Sequence, residues 1–164
     1  MANKIQGLEG PRVVSNCRDF MSDLSTDIKN WVQVARDFWL ARAIKLENGA
    51  KPEDIESTES FIGFVFPSEM KELYNTVNGF ENWDWTPGMI SIWPLERIRD
   101  EYKTGDDRNF VGFCDFLINS HCIGFLKDQP GIYKRYDGRF PIEYVGETFK
   151  EVIGLINSDS DKIW

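Results

Sequence analysis

A single histidine, His121, and three cysteines, Cys17, Cys114 and Cys122, are the only imidazole and thiolate ligands that the sequence offers a transition metal. A zinc site or a Ser-His-Asp constellation would depend wholly on His121. The odd cysteine set has no C-x-x-C spacing, which speaks against both zinc and a disulfide framework. No metal and no cofactor is therefore expected, and unpaired thiols fit a reducing compartment. Also missing are G-x-G-x-x-G, the P-loop and H-E-x-x-H, the commonest phosphate-binding and zinc-hydrolase signatures. Basic residues are the scarcer charge: 19 Lys and Arg stand against 27 Asp and Glu, a net charge of −8. Such a field repels phosphate backbones and anionic lipid while attracting basic partners, so no direct contact with nucleic acid or membrane is expected. No window reaches the ~18 apolar residues of a membrane span. The opening MANKIQGLEGPRVVSN holds no apolar stretch of signal-peptide length, so cytoplasmic residence is the expectation.

What is present is the composition of a globular protein. Of 164 residues, 41% are hydrophobic and 14% aromatic, with 12 Phe and 6 Trp. A chain of this length hides about 70% of its unfolded surface on folding, enough for a sizeable core, and one domain over 1–164 is expected. No internal repeat, low-complexity tract or linker interrupts it.

Apolar residues recur at helical spacing from Asp27 to Leu46, through Trp31, Val32, Ala35, Phe38, Trp39 and Ala43. The spacing predicts an amphipathic helix stopped by Asn48 and Gly49. A shorter helix through Cys17, Phe20, Met21 and Leu24 is expected to precede it. Pro52, followed by Glu53 and Asp54, signals a second helix start, because proline suits the first turn and acids complement the helix dipole. Ser68 is expected to cap a third helix running to Val77 and closing at Asn78-Gly79.

Beyond Gly88 the pattern turns to short β-type runs: Met89 to Trp93, Phe110 to Phe113, His121 to Leu126, Ile132 to Tyr136 and Phe140 to Val145. Pro94 to Tyr102 suggests a helical turn between the first two, and Asp137-Gly138 is a hairpin signal. From Thr148, Phe149, Val152, Ile153 and Ile156 return to helical spacing. The fold class is α+β: N-terminal helices packed on an antiparallel sheet and closed by a C-terminal helix, with the other sheet face partly free for binding.

Chemistry is scarce along this order. His121 and Cys122 are adjacent in a strand and point to opposite faces, so they make no dyad, and Cys114 would need a favourable pairing. Asp159-Ser160-Asp161 lacks the glycine and distal glutamate of a calcium loop. The segment from Glu81 to Gly88 differs, since Trp83 and Trp85 alternate with acids in a loop marked by Pro87 and Gly88. Tryptophan supplies contact area and acids steer a basic partner; alternatively, the two rings plug the helix-to-sheet junction. Glu81, Trp83, Asp84 and Trp85, with Asp106 and Asp107 of a later acidic turn, are the candidate partner contacts. No residue is singled out as catalytic.

The order of several segments resembles a known family. Gly49-Ala50, Pro52 to Ile55, Glu59, Gly63-Phe64, Phe66-Pro67, the helix from Ser68 to Tyr74 and Asn78-Gly79-Phe80 are similar to the opening of the SUKH superfamily, in its branch related to the fungal Smi/Knr cell-wall regulators. Ile92 to Ile98 looks like that family's first strand and turn, Phe113 to Ser120 like its next strand segment, and Gly131-Ile132-Tyr133 and the final helix at Thr148-Phe149 complete the order. The resemblance covers about 27–157 and leaves 1–26 as an N-terminal extension. Phe66 stands where the family usually has leucine.

The resemblance implies an immunity protein of a bacterial polymorphic toxin system, binding and neutralising a cognate toxin of nuclease or deaminase type. Such toxins tend to be basic, in keeping with an acidic inhibitor. A non-enzymatic regulatory or scaffold protein of the Smi/Knr type, and a small enzyme using His121, are the alternatives.

Overall fold

Proline and glycine set many of the helix limits, and long-range strand pairing sets others. The structure, a computed structural model, describes residues 31–136 and 141–164. Within it Val32–Trp164 form one compact unit. Helix α1 covers residues 31–40 and buries Val32, Ala35 and Trp39, a stripe at helical spacing. It ends earlier than the apolar periodicity predicts. The chain tightens through Arg42 N–H to Trp39 O and Ala43 N–H to Leu40 O, both 3.0 Å, and Ala43 takes φ 58°. Leu46 is not helical but opens strand β1, Leu46–Asn48. The expected helix through Cys17 and Leu24, and residues 27–30 of the next, lie outside the described residues.

Helix α2, Pro52–Ile62, begins as expected with Pro52, Glu53 and Asp54 and closes at Gly63 in the left-handed region, φ 71°. Helix α3, Ser68–Thr76, has Pro67, not Ser68, in the capping position and makes no side-chain cap. It also stops short of Asn78-Gly79, because Val77–Phe80 form strand β2 and pair antiparallel with β1, Leu46 opposite Phe80. Backbone pairing between segments distant in the chain overrides local helix signals there. Gly79 is required: at φ 77°, an added Cβ would lie 2.5 Å from the backbone of Trp93 and Pro94.

A one-turn 3₁₀ segment, Glu81–Trp83, leads towards strand β3, Ile90–Ile92, and helix α4, Leu95–Thr104. Strands β4, Phe110–Phe116, β5, His121–Leu126, β6, Gln129–Arg135, and β7, Glu143–Gly146, come next, and helix α5 is Phe149–Asn157. The strands β3 to β7 lie in sequence order in one antiparallel sheet. The architecture is α+β. The hairpin signal at Asp137-Gly138 falls outside the described residues, as does Phe140. Where β5 meets β6, Leu126 stands opposite Gln129 across Lys127 and Asp128.

Register assigns the two sheet faces, since alternate residues share one. Ile92, Cys114, Ile123 and Lys134 are aligned on one face, and Ser91, Asp115, Cys122 and Arg135 on the other. Helix α5 closes the first. Its Thr148 cap accepts from Glu151 N–H at 3.2 Å, and Phe149, Val152, Ile153 and Ile156 are all buried. Phe113 lies 5.0 Å from Phe149 and 5.3 Å from Phe125, ring to ring. Burying each such side chain is worth about 1.5–3 kcal/mol. Helix α4 leans over the second face and leaves part of it open.

Candidate functional site

Pro94 in the capping position starts α4, and Asn78 Oδ1 accepts from Leu95 N–H at 3.0 Å. That places Arg97, the third residue of the helix, over the second sheet face. Its Nη2 lies 3.0 Å from Asp115 Oδ1 on β4, with the two side chains only 9% and 3% exposed. Trp93 Nε1 donates to the same carboxylate oxygen, and Asn119 N–H donates to Oδ2 at 2.8 Å. The guanidinium carbon sits 3.7 Å from the Trp83 ring centroid and 4.6 Å from that of Trp93, between two indoles. Arg97 Nε makes no hydrogen bond among the described residues; Glu101 Oε1 lies 3.6 Å from it. A buried, hydrogen-bonded ion pair of this kind is expensive to break from one side, because the other charge is then left unpaired.

Above this pair lies an apolar cleft of about 370 Å³, walled by Trp83, Trp85, Met89, Leu117 and Ile118. These are exposed: Trp83 56%, Trp85 50%, Ile118 76%. Four of the five also have positive φ: Trp83 63°, Met89 60°, Leu117 45° and Ile118 52°. Bulky L-residues are disfavoured there, and a β-branched one such as Ile118 is a genuine outlier. Neighbouring bonds hold the loops in place. Leu117 N–H donates to Met89 O at 3.0 Å, and Ser120 N–H to Phe116 O at 2.9 Å. Buried Thr86 exchanges backbone bonds across the turn to Met89 and Ile90. Exposed apolar side chains kept in costly conformations over a buried ion pair are an arrangement that folding alone does not favour.

The sequence-derived candidates divide among different settings. Trp83 and Trp85 share the cleft. Asp84, between them in the chain, has both oxygens engaged, Oδ2 accepting from Lys45 N–H at 2.8 Å and Oδ1 from Trp85 N–H at 3.0 Å. Glu81 accepts from Asn82 Nδ2 at 3.0 Å, and its own N–H reaches Lys45 O at 2.8 Å. Asp106 and Asp107 lie elsewhere, at Arg135, 2.8 and 3.6 Å away. The Arg135 hydrogen bond holds the Asp106 carboxyl below its usual value. Asp107 and Arg135 border a separate cleft of about 520 Å³ over the open part of the sheet, with Trp93, Gly112 and Cys122.

His121 is buried, and its Nε2 lies 2.9 Å from Ile163 O. Burial, with Lys134 nearby, lowers its pKa. Cys114 pairs with Ile123 across the sheet, while His121 stands opposite Phe116. Burial pushes the Cys114 thiol up and takes Cys122 up to about 12. Thiols so shifted are not thiolates at neutral pH. Among the described residues, no group of three His, Cys, Asp or Glu side chains is placed to hold a metal ion, and no helix is long and apolar enough to cross a membrane.

Arg97, Asp115, Met89, Leu117 and Ile118 are members of the site that the sequence reading missed. The run Phe113 to Ser120 reads as one strand, yet β4 ends at Phe116 and Leu117 to Asn119 form a turn with positive φ throughout. Asn119, tolerant of that region, was the available signal.

The model of the SMI1 / KNR4 family (SUKH-1) matches residues 49–155. Its N-terminal limit falls well inside the span of about 27–157 expected from the sequence. No curated protein matches the chain.

Proposed function

We propose, of a chain that belongs to the SMI1 / KNR4 family (SUKH-1), that it is a cytoplasmic, non-enzymatic immunity protein that binds and neutralises a cognate bacterial toxin of nuclease or deaminase type. The observation that carries this reading is the exposed apolar cleft of Trp83, Trp85, Met89, Leu117 and Ile118 above the buried Arg97–Asp115 pair. Indole rings at the centre of such a surface are the residues that dominate binding energy in protein interfaces. Glu81 and Asp84 shape the loop that presents them. Asp106 and Asp107, near the second cleft, add negative field for a basic partner, consistent with the net charge of −8. The raised thiols and the buried histidine favour binding over nucleophilic catalysis.

The test is co-expression with the toxin domain encoded beside the gene. Growth should be restored by the wild-type protein and lost again with Trp83→Ala/Trp85→Ala, at equal protein level. Failure to bind or suppress any neighbouring toxin would overturn the reading, and binding to a cellular protein instead would favour a regulatory role.

A further inference from the structure

Beside the apolar cleft runs a second of similar size, about 370 Å³, in which acids predominate: Glu47, Glu96, Asp100 and Glu101 line it. Trp83 and Arg97 are walls common to both clefts. The Arg97 charge is already matched by Asp115 at 3.0 Å, with Glu101 a further 3.6 Å from its Nε. Glu47, Glu96 and Asp100 have no cation within ion-pair distance among the described residues. One indole thus separates a surplus of apolar surface from a surplus of negative charge, and both are solvent-facing.

We infer that the two clefts together read one short segment of a protein partner, which sets an aliphatic or aromatic side chain into the apolar cleft and a Lys or Arg into the acidic one. The inference rests on the protein-binding reading above and names what the partner presents. Charge complementarity selects the occupant: a neutral apolar ligand leaves the three carboxylates unmatched, and a lone cation leaves the exposed side chains in water. The same ring that stacks on Arg97 borders both clefts and so adjoins both partner side chains. Two such side chains on one segment are near neighbours, two residues apart in a strand at about 3.3 Å per residue, or three to four apart on a helix.

The experiment follows the indole N–H signals of Trp83 and Trp85 by NMR, assigned with Trp83→Phe and Trp85→Phe, as blocked pentapeptides Gly-Phe-Gly-Arg-Gly and Gly-Phe-Gly-Glu-Gly are added. The arginine peptide should shift both signals and bind at least tenfold more tightly than the glutamate peptide. In a Glu96→Gln/Asp100→Asn variant of unchanged melting temperature that gap should shrink below threefold, and raised salt should narrow it too. Equal affinities for the two peptides in the wild-type protein, or no shift with either at millimolar concentration, would overturn the inference. If that happened while toxin suppression in co-expression stayed intact, the two-cleft reading alone would fall. A clear peptide preference without suppression of any toxin would support the two clefts and remove the toxin.

Discussion

The two faces of the five-stranded sheet are built on opposite terms. On the face closed by α5, Phe113, Phe125 and Phe149 meet ring to ring and are buried, and the helix is capped by Thr148. These ring contacts and the cap lower the free energy of the folded chain. On the face under α4, an arginine and an aspartate are buried as a pair, and Leu117 and Ile118 are exposed at positive φ. Each of those features costs stability or adds none. The first face is explained by folding; the second calls for another reason, and binding is one that rewards apolar surface held out to solvent.

The largest way to probe the contrast is Phe113→Ala. Removing a ring from a closed, well-packed face should cost about 4 kcal/mol, seen as a fall in the urea midpoint. Next comes Asp115→Ala, about 3 kcal/mol, since Arg97 is left buried without its partner. Replacing both residues, Arg97→Met with Asp115→Leu, should cost less than Asp115→Ala alone; a double variant that is worse would show that the pair itself holds the face together.

Smaller, and of opposite sign, is Ile118→Asn. Asparagine tolerates left-handed backbone where isoleucine does not, so this variant should be about 0.5–1 kcal/mol more stable while binding its partner less well. Loss of stability there would contradict a strained, functional turn.

The mildest probe is pH, and it acts on the closed face. The folded state holds His121 below its ordinary value of 6.5, chiefly by burial. The unfolded chain therefore takes up the proton first, so the contribution of neutral His121 is complete above pH ~6.5 and is lost as pH falls through the lower folded value. Urea midpoints should drop between pH 7 and 5, and His121→Gln should flatten that drop. The indole signals of Trp83 and Trp85 should not follow it.

Local chemistry made α2 and α5 legible, from Pro52 and Gly63 in one and from the spacing of Phe149, Val152, Ile153 and Ile156 in the other. The pairing of β1 with β2 was not, because Leu46 meets Phe80 through a contact that no local pattern encodes; the same contact shortened α1 and α3. Of the site, the alternation of Trp83 and Trp85 within a Pro- and Gly-marked loop was readable. Leu117 and Ile118 were hidden inside an apolar run that looks like strand. Arg97 and Asp115 are single charges eighteen residues apart, joined by tertiary packing. Asp84, a candidate partner contact in the sequence, accepts from the backbone of its own loop and of Lys45, bonds that no local pattern announces.

A binding role for the open face is decided by the affinity of Trp85→Ala for the proposed protein partner, measured by calorimetry beside Val65→Ala. Val65 is also exposed and apolar, at 73%, but lies on the turn between α2 and α3, away from the cleft. The cleft predicts a loss of about 2 kcal/mol, roughly thirtyfold, for Trp85→Ala and no change for Val65→Ala. Equal affinities of both variants with the wild-type protein would contradict it.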